Sequence, residues 1–149
     1  MTTTPEGTER ARASDAPGNV LPRIVARVVD AVILAVVGGA VGASMDFNVL
    51  WLTLQAVLVF GYFVALDVAW GTTPGKRLLG LRVTGPDGAA PSLLEAARRE
   101  AFTLLGAVPY AGPLLALVAW IVIVVTVTRS PQRQGAHDTL AGGTRVVTG

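Results

Sequence analysis

Arg23, Arg27 and Asp30 stand at i, i+4 and i+7, a spacing that sets three side chains on one face of a helix and brings Arg27 and Asp30 close enough to pair. A second acid, Asp67, interrupts a later apolar run. Charges of both signs inside apolar segments support two kinds of chemistry. Neighbouring carboxylates raise one another's proton affinity while arginine lowers it, so the set can bind a cation or relay protons. Paired off, the same groups hold helices in register and anchor the first helix at the interface. An ionised residue near mid-bilayer costs about 2.5–3.5 kcal/mol on insertion scales, so Asp30 must be paired, hydrated or protonated. The structural role is the leading reading, and cation or proton exchange or small-ligand transport is the alternative.

The stretch GTTPGKRLLGLRV, Gly71 to Val83, has the look of a phosphate-binding loop. A P-loop needs four residues between its glycines and a Ser or Thr after the lysine. Here three residues separate Gly71 from Gly75, and Lys76 is followed by Arg77, so no nucleotide site is expected. Thr73, Pro74 and Gly75 read instead as a turn at a membrane surface. Lys76 and Arg77 are expected to face lipid phosphates, where a basic residue contributes about 1 kcal/mol with an anionic leaflet. The loop is expected to pack over the mouth of an Arg23, Asp30 and Asp67 cluster, with His137 and Asp138 nearby. His137 and Asp138 lack further His or Cys partners, so helix capping or a salt link to the loop is expected and a metal site is not. Gly38 and Gly42, in GxxxG spacing beside Gly39, allow another helix to approach closely, within one subunit or between two. No Ser, His and Asp order or nucleophile elbow appears, so no enzyme activity, cofactor or nucleic-acid partner is expected.

The elements that must carry these residues are membrane spans. The chain has 149 residues, of which 52% are hydrophobic and only 15% charged, and the apolar residues come in long blocks. Lacking cysteine, it has no disulfide framework, thiolate metal site or redox motif. A bilayer core takes about 20 helical residues. Spans are expected at about 24–44 and 47–70, the second with Phe47, Trp51 and Trp70 at its ends, where interfacial rings belong. A third block, Ala101 to Thr128, is uncharged over 28 residues but broken by Pro109, Gly112 and Pro113. It reads as one bent span or, preferably, a hairpin: an interfacial or re-entrant helix at 92–108, then a span at 113–128. The helix is expected to be amphipathic, with Leu94, Ala97, Ala101 and Leu105 on one side and Glu95, Arg98 and Arg99 elsewhere.

Charge placement orients these spans. Arg10, Arg12, Arg23 and Arg27 precede or open the first span, whereas the link to the second carries Asp46 and no basic residue. The positive-inside rule then makes the N-terminus cytoplasmic, and the hairpin returns Arg129, Arg133 and Arg145 to the same side. Residues 1–21 read as a disordered cytoplasmic tail and 22–149 as the membrane domain. On the cytoplasmic face, Leu81–Thr84 ends at the turn Gly85-Pro86-Asp87-Gly88 and is expected to pair with Thr144–Val147 as a small ladder. The fold class is thus an all-α membrane bundle, two full spans and a C-terminal helical hairpin, with a small two-stranded ladder.

Arg23 followed seven residues later by Asp30, TPGKRLLGLRV at Thr73–Val83 and HDTLAGGTRVV at His137–Val147 together form a recognisable pattern. The arrangement from Pro22 to Val147 resembles the RDD family, small bacterial membrane proteins named for an arginine and two aspartates. The second family aspartate is Asp67 or Asp138. The resemblance implies a multi-pass protein of the bacterial inner membrane for which transport has been proposed, with no settled reaction. The partners expected are a bilayer with anionic headgroups, a second copy of the chain and another membrane protein.

Overall fold

The computed structural model describes Pro17, residues 19–43 and residues 48–148. Residues 1–16 and 18 of the tail expected at 1–21, the link around Asp46 and Phe47 lie outside these. Helix α1, Val20–Gly42, and helix α2, Val49–Trp70, are apolar and long enough to cross a bilayer, at about 35 and 33 Å. Helix α1 starts at Val20, inside the segment expected to be tail, because Pro22 sits in its first turn, where the missing N–H has no intrahelical partner to lose. Helix α2 begins at Asn48, whose side chain accepts from the Trp51 N–H at 3.0 Å. It stops at Gly71, whose φ of 63° favours glycine and lets its N–H close on the Asp67 carbonyl at 2.9 Å.

The chain next builds a cap at this end of the bundle. Thr73 and Pro74 open the short helix α3, Pro74–Leu78, with the Thr73 hydroxyl accepting from the Lys76 N–H. Strand β1, Leu81–Thr84, pairs antiparallel with strand β2, Arg145–Thr148, in the register Leu81 to Thr148 and Thr84 to Arg145. Leu81, Val83 and Val146 bury one face of this ladder against Ala26 of α1. The turn after β1 closes through the Gly88 N–H on the Gly85 carbonyl at 3.1 Å.

Helix α4, Leu93–Glu100, starts with a reciprocal cap: Ser92 accepts from the Glu95 N–H, and the Glu95 carboxylate accepts from the Ser92 N–H at 2.7 Å. The chain tightens into a 3-10 segment, Ala101–Ala107, turns at Tyr110 and returns as helix α5, Gly112–Arg129. The outgoing limb has an axial length of about 26 Å against about 27 Å for α5, so the two arms match as a hairpin. Helix α6, Ala136–Leu140, then leads into β2.

Strand pairing fixes the topology. β1 follows α2 and β2 follows α5, so both helices end at one face, and Arg23 near the start of α1 bonds the Val146 carbonyl there. Most large apolar side chains of the spans point outward, Val36 at 68% exposure among them, as lipid-facing residues must. The fold is therefore the expected membrane-spanning helical bundle with a two-stranded ladder, the second strand running one residue further than expected.

Candidate functional site

Beneath the cap, eight charged side chains, four of each sign, converge from α1, α2, α3, α4 and α6. Asp30, fully buried on α1, accepts from the Thr73 hydroxyl at 2.5 Å, the Gly75 N–H at 2.8 Å and the Tyr62 hydroxyl at 3.0 Å. Gly75 is required because a Cβ there would collide with the Ala26 carbonyl and crowd the Asp30 carboxylate. One turn before the end of α2, Asp67 accepts from the Lys76 ammonium at 2.6 Å.

Arg27 does not pair with Asp30. Its guanidinium crosses to α4, donating to the Glu100 carboxylate at 2.9 Å while lying 3.6 Å from the centre of the Phe63 ring. Asp30 is already held by three donors, whereas Glu100, buried at the threshold of an uncharged block, has greater need of a cation. Arg23 donates to the carbonyls of Arg133 at 2.7 Å and Val146 at 3.0 Å and stands 3.8 Å from Asp138. Asp138 caps α6 through the Gly135 N–H at 3.0 Å, accepts from the Thr144 hydroxyl at 3.3 Å and lies 3.4 Å from Arg99 Nε. It makes no salt link to the Thr73–Arg77 loop; its cations come from α1 and α4.

One further expectation is corrected here. Lys76 faces inward with 7% exposure instead of meeting lipid phosphates, because Asp67 would otherwise be a lone charge inside the protein; Arg77 beside it is exposed. Helix α4 leaves Leu93 and Leu94 exposed, as an apolar side turned to lipid requires, and presents Ala96, Arg99 and Glu100 to the interior. Arg99, Glu100 and Tyr62 were not singled out by spacing. The available signal was Glu100, a carboxylate one residue before 28 uncharged ones. Of the glycines, Gly38 packs against the Gln55 side chain and Gly42 against Trp51, both on α2, while Gly39 faces open space. Among the described residues no group of three or more His, Cys, Asp or Glu has the arrangement of a metal site.

The electrostatics follow burial. Burial pushes the Lys76 ammonium below its ordinary range, with Asp67 pulling it back up. Burial alone would raise Asp138, but Arg99, His137, the Gly135 N–H and Arg23 together hold it below the usual carboxylate range. Burial also pushes the His137 imidazole from 6.5 down to about 4, against the opposing pull of Asp138 at 3.6 Å. The folded protein thus keeps a neutral ring where the unfolded chain takes up a proton. This contribution to stability is complete above pH 6.5 and is lost as pH falls from there through about 4. In detergent, the parent should lose about 3 kcal/mol across that window relative to His137→Gln. Parallel thermal-midpoint curves for the two proteins would contradict this assignment.

Three long apolar helices, both ends of the described chain at one face and a buried network of paired charges define a multi-pass helical membrane protein. The RDD family model matches residues 17–142, and the chain belongs to the RDD family. No curated protein and no solved structure matches it.

Proposed function

We propose that the chain is a structural or accessory protein of the bacterial inner membrane, in which the charge network locks a cytoplasmic cap onto the spans and presents that cap to a membrane partner or a second copy. The observation that carries this reading is the pairing itself: each buried acid is matched to a cation or a set of hydrogen-bond donors at one end of the bundle. Beyond Asp30, the buried positions of α1 are Leu34 and Gly38, neither of which carries a polar side chain. All ten basic residues from Arg23 onward gather at the capped end, which supports a cytoplasmic cap and cytoplasmic termini by the positive-inside rule. No catalytic step belongs to this reading.

Cation or proton exchange is the second reading, favoured by one atom. Asp67 Oδ2 is buried without a hydrogen-bond partner, beside an amine that burial makes more acidic, an arrangement in which a proton could be exchanged. Proton movement in liposomes driven by sodium, potassium or lithium gradients separates the two. The structural reading expects no flux from inserted protein, and capture of a partner or second copy by crosslinking through the cap. Flux in the parent that a folded Asp30→Asn variant lacks would overturn it.

A further inference from the structure

The two sides of α1 place the membrane boundary differently. On the side that carries Arg23, Arg27 and Asp30, the uncharged stretch from Asp30 to the helix end at Gly42 rises about 18 Å, well short of a bilayer core of about 30 Å. The opposite side is apolar throughout. Leu21, Val25, Val28, Val32 and Val36 follow one another at helical spacing, all exposed, and the row begins about 14 Å before Asp30. A leaflet that ended at Asp30 would leave Leu21, at 70% exposure, in water. A leaflet that reaches Leu21 puts the charge network at membrane depth, screened from lipid on this flank by α1 itself.

The cap repeats this pattern. Three of its helices each turn a leucine outward: Leu78 of α3 at 75% exposure, Leu93 of α4 at 66% and Leu140 of α6 at 72%. Large apolar side chains presented by three separate elements are costly against water and ordinary against lipid. The exposed charge at this end is of one sign. Arg77, Arg98, Arg129 and Arg145 are exposed, and among the described residues Asp87 is the one exposed acid. Arg77 adjoins Leu78, and Arg98 stands one turn from the exposed Leu94, so each guanidinium can reach a phosphate while its neighbour stays in hydrocarbon.

We propose that the rim of the cap is sunk into the leaflet at its end of the bundle, with Leu78, Leu93 and Leu140 at the boundary of headgroups and acyl chains and Arg77 and Arg98 on the phosphates of anionic lipids. The cap is then a plug flush with the membrane instead of a dome standing in water, whether or not the protein recruits a partner or moves ions. The chain has no cysteine, so single introduced cysteines carry spin labels at chosen depths. Full-length protein bearing Leu78→Cys, Leu93→Cys or Leu140→Cys is reconstituted in vesicles of phosphatidylcholine and phosphatidylglycerol. Val36→Cys and Asp87→Cys give the lipid and water references, and relaxation by oxygen is compared with relaxation by a water-soluble nickel chelate.

The three leucine positions should meet oxygen in preference, as Val36→Cys does, while Asp87→Cys meets the chelate. Omitting phosphatidylglycerol, or combining Arg77→Gln with Arg98→Gln in its presence, should lower the oxygen preference at positions 78 and 93 by about twofold or more. Chelate access at Leu78→Cys and Leu140→Cys equal to that at Asp87→Cys overturns the proposal, because the cap then stands in water. Shielding of these labels from both reagents overturns it as well, because a partner or second copy then covers the rim. An oxygen preference indifferent to phosphatidylglycerol and to the arginine changes overturns the assignment of anionic headgroups.

Discussion

Asp30→Ala destabilises the protein by about 3 kcal/mol or more, since it strands three donors that together lose their acceptor, each at about 1–3 kcal/mol when buried. Those donors belong to different elements: Tyr62 to α2, Thr73 to the cap of α3 and Gly75 to α3 itself. The substitution therefore undoes the junction between the first span and the cap as well as one contact. Asp30→Asn is the informative contrast. Its amide oxygen can keep the Tyr62 and Gly75 bonds, and only the Thr73 contact must rearrange, so the loss should be about 1 kcal/mol. Detergent-solubilised protein unfolded by heat gives both values; equal melting of parent and Asp30→Ala would show that Asp30 does not pin the cap.

Lys76→Met leaves Asp67 buried without its cation and should cost about 3–5 kcal/mol. Asp67→Leu should cost a similar amount by stranding the ammonium. Replacing both with apolar side chains removes the uncompensated charge, so the double variant should recover most of the loss. This cycle separates a pair retained for mutual compensation from a carboxylate with a role of its own. If the double variant is no more stable than the worse single variant, the two residues do not act as the pair seen at 2.6 Å.

How much of this was legible in sequence depended on whether a residue's role was local or distant. Spans and ladder followed from hydropathy, Gly-Pro turns and β-branched runs, each a property of a short window. The bend of the third block was likewise written in Pro109, Gly112 and Pro113. Partner choice was not. Arg27 and Asp30 look like a helix pair because they are three residues apart, yet Glu100 takes Arg27 across the bundle and α3 takes Asp30. Lys76 looked like a lipid-facing cation for the same reason: its sequence neighbours are basic and surface-like, and only the fold reveals Asp67 beside it. The charged side of α4 was hidden because spacing sets Leu94, Ala97, Ala101 and Leu105 on one side but does not reveal that Arg99 and Glu100 meet charges from other helices. Lipid is the apolar solvent for the first side, and a polar protein interior takes the second.

The bonds from Arg23 to Arg133 and Val146 join positions 110 and 123 residues apart. A ribosome adding roughly 5–20 residues per second takes on the order of ten seconds to make that stretch. Throughout this interval the first helix is in or at the bilayer with Arg23 lacking its final partners, whereas Asp30 and Arg27 gain theirs earlier, once Gly75 and Glu100 have been made. Before those earlier partners arrive, its hold on the membrane comes from apolar length and interfacial hydration alone. A chain interrupted before Arg133 would leave Arg23 without its two carbonyls and without Asp138, which makes synthesis of the last stretch the moment at which the start of the first helix is secured, and makes truncated copies ready substrates for membrane proteolysis.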